Sequence, residues 1–220
     1  MMIAPAPSSE ASEISLRERK KQMTRRALIE TAEAMFAERG FDAVTVAEIA
    51  AAVNIAAKTV FVYFPAKEDL VFHDEHSIRD ELVSRISGRA PGQTALDAIG
   101  DLLHEMMSAS PKGPEHELDH LLRTVGDSAV LQARMRLMWE RFETAIAVEL
   151  ARETGDHPYS ARPRVAAAQL TMLYRMLASP ELLDFIRSKP KSKQRTAFRQ
   201  WFDEAVATVG EGIGDYARRG

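Results

Sequence analysis

Cysteine is absent from the 220 residues, so neither a disulfide nor a thiolate zinc site can hold the fold. No run approaches the roughly 18 uninterrupted apolar residues that a membrane-spanning helix needs. The opening residues, MMIAPAPSSEASEIS, lack both a basic stretch and an apolar core, and so do not read as a secretory signal. A cytoplasmic location is the expectation. The alternation of a half-buried strand is also missing, as is any internal repeat. What remains is an ordinary globular balance, 45% hydrophobic and 28% charged, carried on helical periodicity. The expected fold is all-α.

The net charge of −3 hides an asymmetry. From Arg17 to Lys67 there are nine Lys/Arg against six Asp/Glu, whereas residues 68–220 hold twenty against twenty-four. A polyanion needs cations only where it touches, so the N-terminal excess suits a phosphate-binding surface.

Residues 1–15, rich in Pro, Ser and Ala, read as a disordered tail. The basic stretch Arg17 to Arg26 then leads into a helix whose apolar positions Leu28, Ala32, Met35 and Phe36 repeat at helical spacing. Gly40 stops it, and Phe41 is an apolar anchor just beyond the stop. Thr45-Val-Ala-Glu48 is a capping box, opening a short helix to about Ala52. Val53-Asn54-Ile55 makes a tight turn, with Asn54 tolerating left-handed backbone. A third helix runs from about Ala56 to Phe64-Pro65, and a fourth is predicted over 67–88. Beyond Gly88, helical patterns lie at about 94–109, 115–125, 128–153, 163–178, 180–188 and 193–213. The predicted organisation is therefore the tail, a helix-turn-helix domain over 16–66, and a larger helical domain over 67–220. The helix at 67–88 would connect the two.

Two short helices joined by a three-residue turn suit major-groove reading, because the groove admits one helix while the other braces it. Ala47, Ile49, Ala50, Val53, Ile55 and Val60 are small or apolar, as a close crossing requires. The run TRRALIETAEAMFAERGFDAVTVAEIAAAVNIAAKTVFVYFPAKEDL resembles the DNA-binding domain of the TetR family of bacterial transcriptional regulators along its whole length. The resemblance rests on Gly40-Phe41, Thr45, Ile49-Ala50, and Thr59 to Phe64 followed by Lys67-Glu68-Asp69-Leu70.

The resemblance implies roles residue by residue. Thr45 would set its hydroxyl and helix start on a phosphate. Ala57, Lys58 and Thr59 would face the groove, and Tyr63 and Lys67 would touch backbone phosphates. The plainer alternatives are that Thr45 is a cap, Tyr63 a packing aromatic and Lys67 a solvated lysine. Three positions depart from the family pattern: Asn54 for Gly, Ala56 for a Ser cap, and Phe61 where Tyr is common. Ala56 weakens a cap and Phe61 removes a phosphate hydrogen bond.

The resemblance further implies a homodimer, a double-stranded DNA operator and a small-molecule effector, with no catalytic group, cofactor or membrane. Operator release by the effector, as a repressor, is the expected mode. Val165, Ala168, Gln169, Met172 and Met176 share a face at 163–178, and Phe198, Trp201, Phe202, Ala205, Val206 and Val209 recur at 193–213. These two helices would form the dimer interface. Leu103, Met106, Met107, Met135, Met138, Trp139, Phe142 and Tyr174 are candidates to line a pocket for an apolar or amphipathic effector. The plain alternative for any such stripe is core packing. His116-Glu-Leu-Asp-His120 literally spells the zinc-protease pattern. It opens its helix just after Lys112-Gly-Pro, with no evident third ligand, and so is read as a coincidence.

Overall fold

The structure is a computed structural model, and it describes residues 15–109, 121–126, 128–177 and 179–213. The expected tail and the His116–His120 string lie outside these residues, apart from Ser15. Helices account for the regular structure, and no strand occurs among the described residues.

The chain divides into two compact units, Met1–Val71 and Phe72–Gly220. In the first, α1 (Leu16–Arg39) starts at Ser15, whose hydroxyl accepts from the Glu18 amide. It ends at Gly40, which takes the positive φ of 79° that a side chain would strain. Leu28, Ala32 and Phe36 form its buried stripe. The short helices α2 (Val46–Ala52) and α3 (Ala57–Tyr63) pack on each other, and their axes differ by 97°. Ile49, Ala50 and Val60 are buried where they meet. Asn54, at φ 57°, turns the chain between them as expected from its type.

The single connecting helix expected over 67–88 is not present. Lys67–Leu70 is one 3₁₀ turn, and α4 begins only at Glu75, ending at Ser87. Leu70 and Phe72 are both buried, yet on one continuous helix they would stand about 200° apart around the axis. Breaking the helix buries both. The Asp69 carboxylate closes the turn by accepting from the Ala66 amide at 3.0 Å.

In the second unit α4 is followed by α5 (Ala95–Ala109), α6 (Ala129–Thr154), α7 (Ala161–Leu177), α8 (Pro180–Arg187) and α9 (Lys191–Ile213). Residues 121–125 are also helical. α6 packs against α7 and α4, and α9 lies across α5, α7 and α8. Gly100 of α5 brings the backbone close to Val206 of α9, 3.8 Å from where a Cβ would stand. Buried ions fasten this unit. Glu75, at the start of α4, accepts from Arg134 and from Arg141 (3.0 Å) of α6. Arg89 pairs with Glu153 at 2.7 Å.

Candidate nucleic-acid interface

Val60 and Phe64 point into the core of the first unit, which turns the rest of α3 outward. Lys58 is exposed, Phe61 is 49% and Val62 77% exposed, and Ala57, Thr59 and Tyr63 are half-buried. Phe61 and Val62 are thus apolar side chains left in water on a short helix. As expected, Ala56 begins α3 with no side-chain cap; the Ala56 carbonyl accepts from the Thr59 amide at 2.8 Å.

Thr45 is engaged on both sides of its hydroxyl. It accepts from the Glu48 amide (3.2 Å) and donates to Glu48 Oε2 (2.7 Å), while the Thr45 amide donates to the same carboxylate oxygen at 2.8 Å. Arg39 donates to Glu48 Oε1 at 2.9 Å. The Arg39 hydrogen bond, with those from Thr45, lowers the Glu48 carboxyl to about 2. Sequence reasoning identified the cap but missed Arg39; its clue was a cation in the last turn of α1 facing an acid nine positions on.

Lys67 is not a solvated lysine. Its ammonium donates to the Phe41 carbonyl at 2.5 Å and sits 4.0 Å from the centroid of the Phe41 ring and 5.8 Å from that of Phe36. Burial lowers its pKa, against the opposing pull of Asp42, Glu68 and Glu48. An ammonium has three N–H donors, so two remain beside the one on Phe41. Arg25, unremarked in the sequence, lays its guanidinium over Phe64, 5.1 Å from the ring centre.

Of the residues expected at the effector site, the structure gathers the aromatics. Trp139, Phe142 and Tyr174 stand 5.5–6.3 Å apart, centre to centre, with edge or tilted contacts. Burial, and then the charge of Asp74, push the Tyr174 hydroxyl up to about 12. Leu103, Met107 and Met138 are buried, and Met135 is half-buried. Met106 stands apart at 40% exposed. Among the residues expected at the dimer interface, Phe202 is fully buried in its own chain, its ring edge-on to His104 at 4.9 Å. Phe198 and Val209 are buried beside it in sequence, so this stripe of α9 is core of the unit.

A bare-faced α3 crossing a capped α2 after a left-handed turn defines a helix-turn-helix DNA-binding regulator. The comparisons with known proteins agree. The model of bacterial regulatory proteins of the TetR family matches residues 28–73. The chain is 27% identical to the HTH-type transcriptional regulator TcmR of Streptomyces glaucescens, over 79% of this chain and 80% of that one. It is 28% identical to the nucleoid occlusion factor SlmA of Mannheimia succiniciproducens, over 64% and 66%. Its fold is similar to that of NalD, the secondary repressor of the MexAB-OprM efflux pump in Pseudomonas aeruginosa. That match has a TM-score of 0.51 and 19% identity, covering 85% of this chain and 97% of NalD. A TetR-family regulator from Mesorhizobium loti matches with a TM-score of 0.52 and 19% identity, over 87% and 97%. Residues 28–73 form a DNA-binding domain of the TetR type, and the chain is a DNA-binding transcriptional regulator. No single helix among the described residues is long and apolar enough to cross a membrane.

Proposed function

We propose that the protein is a homodimeric repressor that holds a pseudo-palindromic operator and lets go when a small apolar or amphipathic molecule binds its second unit. The observation that carries the reading is the outward face of α3. Lys58 with Ala57 and Thr59 enters the major groove, and Phe61 and Val62 supply apolar contact to base methyl groups. Tyr63 contacts a phosphate, as do the two remaining donors of Lys67. Thr45 acts mainly through its helix start, because its hydroxyl proton is committed to Glu48. Ala56 offers only its backbone.

Association uses the exposed edge of α7, where Val165 is 52% exposed and Ala168, Met172 and Met176 are half-buried along one stripe. Gln169 lies on that stripe, with a buried Oε1 that has no donor among the described residues. Trp201 is the half-exposed contribution of α9. The effector site is the Trp139–Phe142–Tyr174 cluster, where an apolar wall carries a single hydroxyl. An effector shifts the equilibrium only by its differential affinity, so it binds the released form better.

The experiment is capture of genomic fragments by the purified protein, followed by a mobility shift with Lys58→Ala. Wild type enriches a sequence with two-fold symmetry, and Lys58→Ala relaxes the preference at the base it reads by about 1–3 kcal/mol. Enrichment of no sequence, or unchanged selectivity in the variant, overturns the assignment.

A further inference from the structure

We propose that residues 16–26, the first turns of α1, form a cationic arm that lies along the DNA phosphates flanking each half-site. The proposal rests on the DNA-reading function above and extends it beyond α3.

The first residue of α1 to be buried is Leu28. Before it, Leu16 and Met23 are 70% and 71% exposed, so apolar burial does not hold this stretch against the core. Propagation from the packed half of the helix keeps it formed, since nucleation has already been achieved there. Its composition is Arg17, Arg19, Lys20, Lys21, Arg25 and Arg26 against one acid, Glu18. Arg25 is turned onto Phe64. None of the other five has an acidic side chain in ion-pair range among the described residues.

That arrangement is unfavourable for a helix standing in water. Like charges three and four positions apart repel, and cations oppose the positive end of the helix dipole. A polyanion reverses both penalties. Two further features specify DNA over a lipid surface. At about 100° per residue, the cations ring the axis and do not leave one apolar face, which an interfacial helix requires. And the arm departs from beside the end of α3: Arg25 covers Phe64, which directly follows Tyr63, the phosphate contact proposed above. Eleven residues at about 1.5 Å each reach roughly 16 Å, the length of four to five base pairs.

The test replaces Arg17, Arg19, Lys20, Lys21 and Arg26 together with Gln, which keeps helix propensity. Affinity is measured against salt on an operator duplex carrying about ten extra base pairs on each side, and on one trimmed to the half-sites. On the flanked duplex the variant loses at least about tenfold in affinity near 0.15 M salt, and its salt slope falls by about two to four units, at about 0.9 per phosphate contact. On the trimmed duplex the loss shrinks. Equal slopes for both proteins on the flanked duplex overturn the proposal. So does an equal loss on both duplexes, or a loss confined to vesicles of anionic lipid. Arg19→Glu with Lys20→Glu, at two exposed sites, gives the same readout should the fivefold variant misfold. Slopes on a random-sequence duplex judge the arm even if no operator is ever selected, which separates its failure from that of the reader.

Discussion

In the second unit Arg85, Arg89, Arg134, Arg141, Arg152 and Arg164 each donate to a glutamate of the same unit. At the start of the first unit, Arg17, Arg19, Lys20, Lys21 and Arg26 have no such acid among the described residues. The residue types are the same and their surroundings differ. Cations that meet an acid inside the chain fasten the fold, while the five at the start of α1 are left in water, where the proposal above gives them phosphates. Net charge cannot separate the two cases, because −3 overall is the sum of both.

The largest effect should come from the fastened class. Glu75→Ala removes the buried carboxylate that Arg134 and Arg141 share, and we expect a loss of about 3 kcal/mol in urea unfolding. A loss under about 1 kcal/mol would mean that these pairs are incidental. The fivefold Gln variant of the arm should, in contrast, unfold within about 0.5 kcal/mol of wild type. Lys67→Ala sharpens the comparison because this lysine belongs to both classes. It should cost about 1–2 kcal/mol through the lost carbonyl and ring contacts, and lower the salt slope by about one unit. A stability loss with an unchanged slope would leave it a brace alone.

Thr45→Ala should cost about 1 kcal/mol as a lost cap. It also removes hydrogen bonds that hold the Glu48 carboxyl at about 2 against an ordinary value of 4.5, so the titration midpoint should rise in carbon-13 NMR. Since the folded value is depressed, this contribution is complete above about 4.5 and is lost as pH falls toward about 2. A midpoint unmoved by the substitution would show that Arg39 alone sets it. The smallest effect is a gain: Ala56→Ser supplies the cap that α3 lacks and should add about 0.5 kcal/mol in thermal unfolding.

The first unit was legible in the sequence because its signals are local. A capping box, a left-handed Asn and a terminating Gly each act within a few residues, and each stands where expected. The connecting helix was not, because its break follows from burying both Leu70 and Phe72, a tertiary demand on residues whose own propensities permit helix. The Asp74-Glu75 pair was the available clue to a fresh helix start. The stripe at Phe198, Phe202 and Val209 misled for a related reason. Periodicity reports that a helix face is covered, and core covers it as well as a partner chain does. The Trp139–Phe142–Tyr174 cluster carries the same ambiguity, which is why the effector remains a proposal.

Association offers one check of moderate size. Val165→Glu places a charge on the exposed edge of α7 and should give monomers by light scattering that keep the helix content of wild type by circular dichroism. An intact dimer would move the interface elsewhere.

The central claim, that two copies of α3 read successive major grooves, is tested most directly by hydroxyl-radical footprinting on a captured operator. Two symmetric sets of protected sugars are expected on one face of the duplex, centred about 34–36 Å or ten base pairs apart, both lost in Lys58→Ala at moderate salt. A single unpaired protected window, or protection that Lys58→Ala leaves intact, would contradict it.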